Sequence, residues 1–218
     1  MDTQLNISPP GFELEFQGSF ENLLKWRRDV RRFKPDPLPE NSVDEILALA
    51  ALAPSVGNSQ PWRFAKVQSG DKRQALRDHF QICNKDALSD YHGEKAKLYA
   101  ELKLSGMDVS PAQLAVFCDH STTLGHGLGK KTMPETLDYS VVMAVHTLWL
   151  AARARGIGVG WVSILNPREV ESILNVPKGW TFVAYLCIGW PEEEHDDPEL
   201  VRHGWQERVD ISKFIVER

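Results

Sequence analysis

Four arginines stand within a short stretch of chain, at Arg27, Arg28, Arg31 and Arg32. Arginine presents a fork of donors that matches phosphate oxygens. One anion, Asp29, sits inside this cationic run. About thirty residues later, Pro54-Ser55-Val56-Gly57-Asn58-Ser59-Gln60-Pro61-Trp62 gathers small hydrogen-bonding groups in a turn that ends on an aromatic. Gly57 permits a positive φ or a close backbone approach. Ser55, Asn58 and Ser59 offer side-chain donors and acceptors beside backbone N–H groups expected to be free, with Val56 between them. A phosphorylated, planar, aromatic ligand would suit this pair of segments.

Each segment also has a plainer reading. A basic run can be a solvated face. A Ser/Asn/Gly turn can be a well-capped helix end. A flavin ring edge needs alternating donors and acceptors, which the turn could supply. Nucleic acid is a third reading of the arginines. The net charge of -5 and the lack of a second basic patch argue against it.

The elements that must position these residues interleave helices and strands. Glu21 to Arg28 reads as a short helix leading into the arginines. Pro35, Pro37 and Pro39 make a rigid extended link. Asn41 or Ser42 is expected to cap a helix that Pro54 ends. A strand follows from Trp62 to Val67. Asp71 to Phe80 is helical, and residues 84–106 read as a mobile, charged helical excursion anchored by Leu98, Tyr99 and Leu102. Gln113 to Cys118 is a strand. Leu137 to Arg155 is a long helix, apolar nearly all round, expected to be buried on several sides and capped by Gly156. Val159 to Leu165 is a strand, Pro167 to Leu174 a helix, Thr181 to Gly189 a strand, and Val209 to Val216 an extended tail. With only about four strands, the pattern predicts an α+β domain over residues 1–218, with a mixed or antiparallel sheet.

Composition narrows the classes further. The chain has 218 residues, 42% of them hydrophobic, enough to bury a sizeable core. Cys83, Cys118 and Cys187 are an odd count, widely spaced, and read as free thiols in a reducing compartment. The first twenty residues have no apolar core of the signal-peptide kind. The apolar stretch 141–154 is too short to span a bilayer. A soluble, cytoplasmic protein is the expectation, with no membrane and no nucleic-acid partner. Cys118, Asp119 and His120 are adjacent without a second ligand pair, so no metal site is expected. Gly156, Gly158 and Gly160 follow a helix and precede a strand, the reverse of a dinucleotide-binding context.

The paired segments, in this order and spacing, resemble the nitroreductase family of FMN proteins. That family opens on an Arg-Arg-Ser-x-Arg-x-Phe segment that grips the FMN phosphate, matched here by Arg27, Arg28, Asp29, Arg31 and Phe33. A Pro-Ser-x-x-Asn-x-Gln-Pro-Trp-like turn contacts ribityl and ring, matched by Pro54, Ser55, Asn58, Gln60, Pro61 and Trp62. The likeness continues through the apolar helix and the strand near Ser163 and Ile164. It implies an FMN site formed by Arg27, Arg28, Asp29, Arg31, Ser55 to Ser59, Ser163, Ile164 and a late arginine, Arg208. It also implies a nitroreductase-like fold and a homodimer with flavin at the interface.

Asp29 departs from the family's serine. Facing a phosphate, it would be repelled by about 4 kcal/mol at about 4 Å with an effective dielectric near 20. It must therefore pair with an arginine or turn toward the ribityl chain. Asp29, the excursion and the Ser163 strand are similar to a flavin-destroying branch of the family. That likeness implies oxygen-dependent fragmentation of reduced FMN to 5,6-dimethylbenzimidazole and erythrose 4-phosphate, for the lower ligand of cobalamin. Asp29 would be the base and Ser163 a hydrogen-bonding group near the ring. The excursion would be a lid, and a flavin reductase would be a partner. The rival readings are an NAD(P)H-dependent nitroreductase or flavin reductase that keeps its FMN, and a flavin-binding protein without turnover.

Overall fold

The computed structural model describes residues 10–102 and 104–218. Its centre is a four-stranded sheet. The strands are β1 (Trp62–Lys66), β2 (Ala112–Asp119), β3 (Gly158–Val162) and β4 (Trp180–Gly189), in the order β1-β2-β4-β3. Every pairing is antiparallel. Alternation along β2 explains the layering. Leu114, Val116 and Cys118 face one core, and Ala115 and Phe117 face the other. Strand β4 repeats the pattern with Leu186 and Ile188 against Tyr185 and Cys187.

Helices α2 (Ser42–Ala50) and α5 (Thr136–Arg153) cover the first face. Helices α3 (Gly70–Ser89) and α6 (Pro167–Leu174) cover the second. Asn166 caps α6, its side chain accepting from the Arg168 and Glu169 N–H groups, with Pro167 in the first turn. Helix α5 stops at Arg153, and Gly156, at φ +72°, lets the Ile157 N–H reach back to the Ala152 carbonyl.

Several boundaries differ from the sequence expectation. Helix α1 spans Leu14–Trp26, starting before Glu21; Phe16 and Phe20 pack on one side of it, with Phe12 just before the helix against Phe16. It stops before the arginines, which therefore run extended. Asn41 occupies the cap of α2 at φ 66°, without a side-chain cap bond. Helix α3 continues to Ser89 because no glycine or proline interrupts it. Among the described residues, α4 (Gly93–Glu101) is the separate helix of the excursion. Tyr99 and Leu102 are buried in it, as expected of anchors, while Leu98 is half-buried. Strand β3 stops at Val162, leaving Ser163 and Ile164 beyond it. The tail holds a short helix, α7 (Glu199–Arg202), and a 3-10 turn at Ile211–Phe214 in place of a fully extended run.

Helix α5 is not buried on several sides within one chain. It buries Leu137, Val141, Ala144, Val145, Leu148 and Ala152, while Tyr139, Val142 and Met143 face outward.

Candidate active site

The arginine segment runs along the outer edge of β3. Asp29 forms a parallel bridge with Val159, and the Val30 N–H donates to the Val159 carbonyl at 3.1 Å. The edge N–H of Trp161 is met by a side chain. Asp29 Oδ1 accepts it at 2.9 Å. Asp29 Oδ2 accepts from Arg31 Nε at 2.8 Å. Both carboxylate oxygens are thus engaged, and the side chain stays 31% exposed, open to a ligand.

Gly160 makes this approach geometrically feasible. A Cβ there would lie 2.0 Å from the Val30 carbonyl oxygen. The glycine run after α5 is therefore clearance for the crossing segment.

The four arginines divide into two pairs. Arg31 and Arg32 turn to carboxylates. Arg32 Nη1 donates to Glu199 at 2.7 Å, and Arg31 lies 3.9 Å from the same nearly buried carboxylate. This bond raises Arg32 above the usual guanidinium range. Arg27 and Arg28 behave oppositely. Burial lowers both; Asp29 partly offsets this for Arg27, and Asp196 and Asp197 for Arg28, while Arg208 repels both and Arg27 repels Arg28 as well. The Arg27 guanidinium stacks 4.8 Å from the Trp149 ring centroid. Arg28 folds one end of its fork back onto the Leu24 and Lys25 carbonyls. Its Nε is buried without a hydrogen-bond partner.

Arg208 lines a cavity of about 610 Å³ with Leu24, Lys25, Arg28 and Val201, and the carboxylates Asp196, Asp197 and Glu207 share its wall. Three mutually repelling cations with an orphaned donor fit a polyanion. A phosphate group has the charge and the oxygens for it.

The turn is a second half-site. Val56 to Asn58 form a 3-10 turn with Gly57 at φ 55°. A Cβ on Gly57 would stand 2.6 Å from the Leu128 carbonyl oxygen, so glycine lets this turn press onto the loop at 124–128. The expected free backbone N–H groups are mostly committed. Val56 donates to Ser140 Oγ, Asn58 to the Ser55 carbonyl, Ser59 to the Val56 carbonyl and Gln60 to Ser55 Oγ. What remains for a ligand is the exposed Asn58 and the Ser59 hydroxyl, which is buried without a partner. Short 3-10 turns close their own bonds, and the sequence alone overstated the donors.

Helix α5 relates the two half-sites. Ser140 holds the turn, and Trp149 stacks on Arg27 while its Nε1 donates to the Arg28 carbonyl at 3.2 Å. Nine residues at about 100° each place these side chains roughly half a turn apart. They also lie about 13 Å apart along the axis. Within one chain the arginines and the turn therefore sit on opposite sides of α5.

Asp29, Arg27, Arg28, Arg31 and Arg208 are brought together. Ser163 is exposed two residues beyond the Trp161 N–H that Asp29 accepts, and Ile164 follows it half-buried. Val56, Gly57, Asn58, Ser59 and Ser55 form the separate turn. Sequence reasoning missed Trp149, Ser140 and Glu199. A polar serine within an apolar helix was the available signal for Ser140. Glu199 lies in an acidic run that gave no hint of its partners.

Asp138 of α5 joins Cys118 and His120, and the three donor atoms lie within 4.8 Å of one another. His120 Nε2 is 2.9 Å from Thr181 Oγ1 and 3.2 Å from Asp138 Oδ1, and burial pushes the Cys118 thiol up to about 12. Among the described residues, no helix is long and apolar enough to cross a membrane.

The chain is similar to known proteins along most of its length. The chain is 58% identical over 199 residues to a protein of Rhodospirillum rubrum named 5,6-dimethylbenzimidazole synthase, covering 91% of this chain and 94% of that one. It is 50% identical over 198 residues to a protein of the same name from Rhodobacter capsulatus, covering 91% and 96%. The fold matches the crystal structure of oxidized iodotyrosine deiodinase bound to FMN and 3-iodo-L-tyrosine. That match has a TM-score of 0.71 and 25% identity, and it covers 91% of this chain and 97% of that one. The model of the nitroreductase family matches residues 24–190. The chain therefore belongs to the nitroreductase family.

Proposed function

We propose that this protein is a 5,6-dimethylbenzimidazole synthase that uses reduced FMN as its substrate. The observation that carries the reading is Asp29. The site keeps a carboxylate, braced by Arg31 and the Trp161 N–H, beside three cations suited to phosphate. The near-full-length likeness to two synthases supports the same assignment. Reduced FMN would be the substrate with O2 as oxidant; its dimethylbenzene half and first ribityl carbon would leave as 5,6-dimethylbenzimidazole, the lower ligand of cobalamin, the other four ribityl carbons as erythrose 4-phosphate, and the pyrimidine half of the ring as the remaining fragment.

Arg27, Arg28 and Arg208 hold the phosphate. Asp29 is fixed with its remaining lone pairs toward the ribityl side, where it takes up a hydroxyl proton. Arg31 and the Trp161 N–H stabilise the carboxylate and set its direction. Ser163 offers a hydroxyl near the ring. Asn58 and the buried Ser59 hydroxyl contact the ring edge. Helix α4 serves as the lid that excludes bulk water.

The site is completed by a second copy of the chain. Arginines and turn on opposite sides of α5 favour two protomers sharing each flavin, and exposed Tyr139, Val142 and Met143 give α5 an apolar face for the contact. A flavin reductase supplies the reduced substrate. Three unpaired thiols suit a reducing cytoplasm.

The test supplies chemically reduced FMN in air. Dimethylbenzimidazole should appear while the yellow colour fails to return fully. Complete recovery of oxidised FMN would sink the reading. Rapid NAD(P)H oxidation with nitroaromatic reduction would instead identify a reductase that keeps its FMN. Sedimentation should give a dimer, and Met143→Lys should shift it toward monomer.

A further inference from the structure

Trp205 connects two segments that the proposed reaction uses separately. On one side is α4, the excursion helix. The Trp205 ring stands 5.4 Å from Tyr91, just before that helix, edge to face at 76°, and 6.2 Å from Tyr99 within it. Tyr91 and Tyr99 stack on each other at 4.9 Å. Lys95 Nζ lies 4.6 Å above the Trp205 ring and donates to the Trp205 carbonyl at 3.1 Å. The Tyr99 hydroxyl donates to Asn84 Oδ1 at 2.7 Å, tying this cluster to α3.

On the other side is the segment around α7. The Trp205 N–H donates to the Leu200 carbonyl at 2.8 Å, closing the end of α7. Glu199, in the first turn of α7, takes Arg32 and lies near Arg31. Arg208 follows Trp205 by three residues and shares a cavity with Arg28. The charged side chains Glu94, Lys97 and Glu101 of α4 face solvent. The aromatic cluster is thus a principal attachment of this helix to the tail.

We infer that Trp205 is a positioning residue that latches the excursion helix to the segment carrying Arg208. This rests on the reading of Arg208 as a phosphate ligand. Anion capture by Arg208 fixes residues 205–208. A fixed Trp205 gives Tyr91, Tyr99 and Lys95 a firm platform, and α4 closes. Phosphate binding and lid closure are then a single equilibrium. An aromatic that merely filled space would steady α4 equally with and without ligand.

The experiment reads amide hydrogen exchange across residues 93–101 of the full chain, with and without saturating oxidised FMN. FMN binding is read first from flavin fluorescence. In the unaltered protein FMN should slow exchange in α4 by about tenfold or more. Trp205→Ala should bind FMN yet lose that FMN-dependent slowing. Trp205→Phe should restore much of it. Arg208→Ala, at FMN concentrations that still saturate it, should also lose it. Should Trp205→Ala fail to fold, Lys95→Ala provides the same reading, with a partial loss expected.

Retained FMN-dependent slowing in Trp205→Ala or Arg208→Ala overturns the latch. So does FMN binding to the unaltered protein without any slowing in α4. Binding and slowing without dimethylbenzimidazole production support the latch and overturn the proposed reaction alone. Absence of FMN binding overturns both.

Discussion

Asp29 Oδ1 accepts the Trp161 backbone N–H at 2.9 Å. A side chain here does what a neighbouring strand would do for an edge N–H. The same carboxylate is held through its other oxygen by Arg31. Its direction is therefore fixed by the sheet and by a cation together. Position 29 is thus a braced anion.

Replacing Asp29 with Asn separates bracing from proton uptake. The amide oxygen can still accept from Trp161 N–H, but it loses the Arg31 ion pair and cannot act as a base. FMN binding should persist, while the yield of dimethylbenzimidazole falls by about a hundredfold to ten-thousandfold. Chromatography of the product checks it, and an undiminished yield removes Asp29 from the chemistry. Ser163→Ala should give a smaller loss, about tenfold, if the hydroxyl contributes one hydrogen bond.

The split of the arginines gives a second expectation. Arg28→Ala removes a cation with an unpartnered buried Nε and should weaken FMN binding by about ten- to a hundredfold. Arg32→Ala removes a cation committed to Glu199. It should change FMN affinity by less than about threefold. Fluorescence titration of FMN against both variants decides, and equal losses would refute the division.

Gly160→Ala places a methyl group 2.0 Å from the Val30 carbonyl oxygen. The backbone at 29–30 must move off β3, taking Asp29 with it. We expect a destabilisation of about 1–3 kcal/mol and a loss of product yield. Thermal denaturation and product analysis test both. A variant of unchanged stability and yield would show that the crossing is slack.

Burial pushes the thiols of Cys118 and Cys187 up to about 12. Unfolded thiols titrate near about 8.5. The folded state therefore holds more protons between these values. The stability from keeping the thiols neutral is complete below about pH 8.5 and declines as pH rises toward 12. The slope is about 1.4 kcal/mol per pH unit for each thiol. Denaturant titrations between pH 8 and pH 10 should show the fall, and Cys187→Ala should lessen it. A flat profile would contradict the assigned cause.

Much of the fold was legible because its signals are local. Pro167 after Asn166 marks α6, Gly156 marks the turn after α5, and continuous apolar runs mark β2 and β4. The arginine run and the Ser55 to Ser59 turn stood out as candidate binding segments for the same reason. Their relation was not. It depends on Ser140 and Trp149 lying on opposite sides of α5, and on Glu199 crossing from the far end of the chain to claim Arg32. The outward face of α5 was misjudged because an apolar residue reads alike in a core and on an exposed face. The boundary of β3 was misjudged because Ser163 and Ile164 continue its composition without pairing to β4.

The segment that bears the arginines also guards the sheet. Strand β3 ends one side of the β1-β2-β4-β3 order, where unpaired N–H and C=O groups would otherwise stand open. Val30 and the Asp29 carboxylate cover part of that border, the former through the Val159 carbonyl. An uncovered border is a template for pairing with foreign strands. The segment proposed to hold the flavin phosphate is thus stitched to the border it covers, so loosening one task would expose the other.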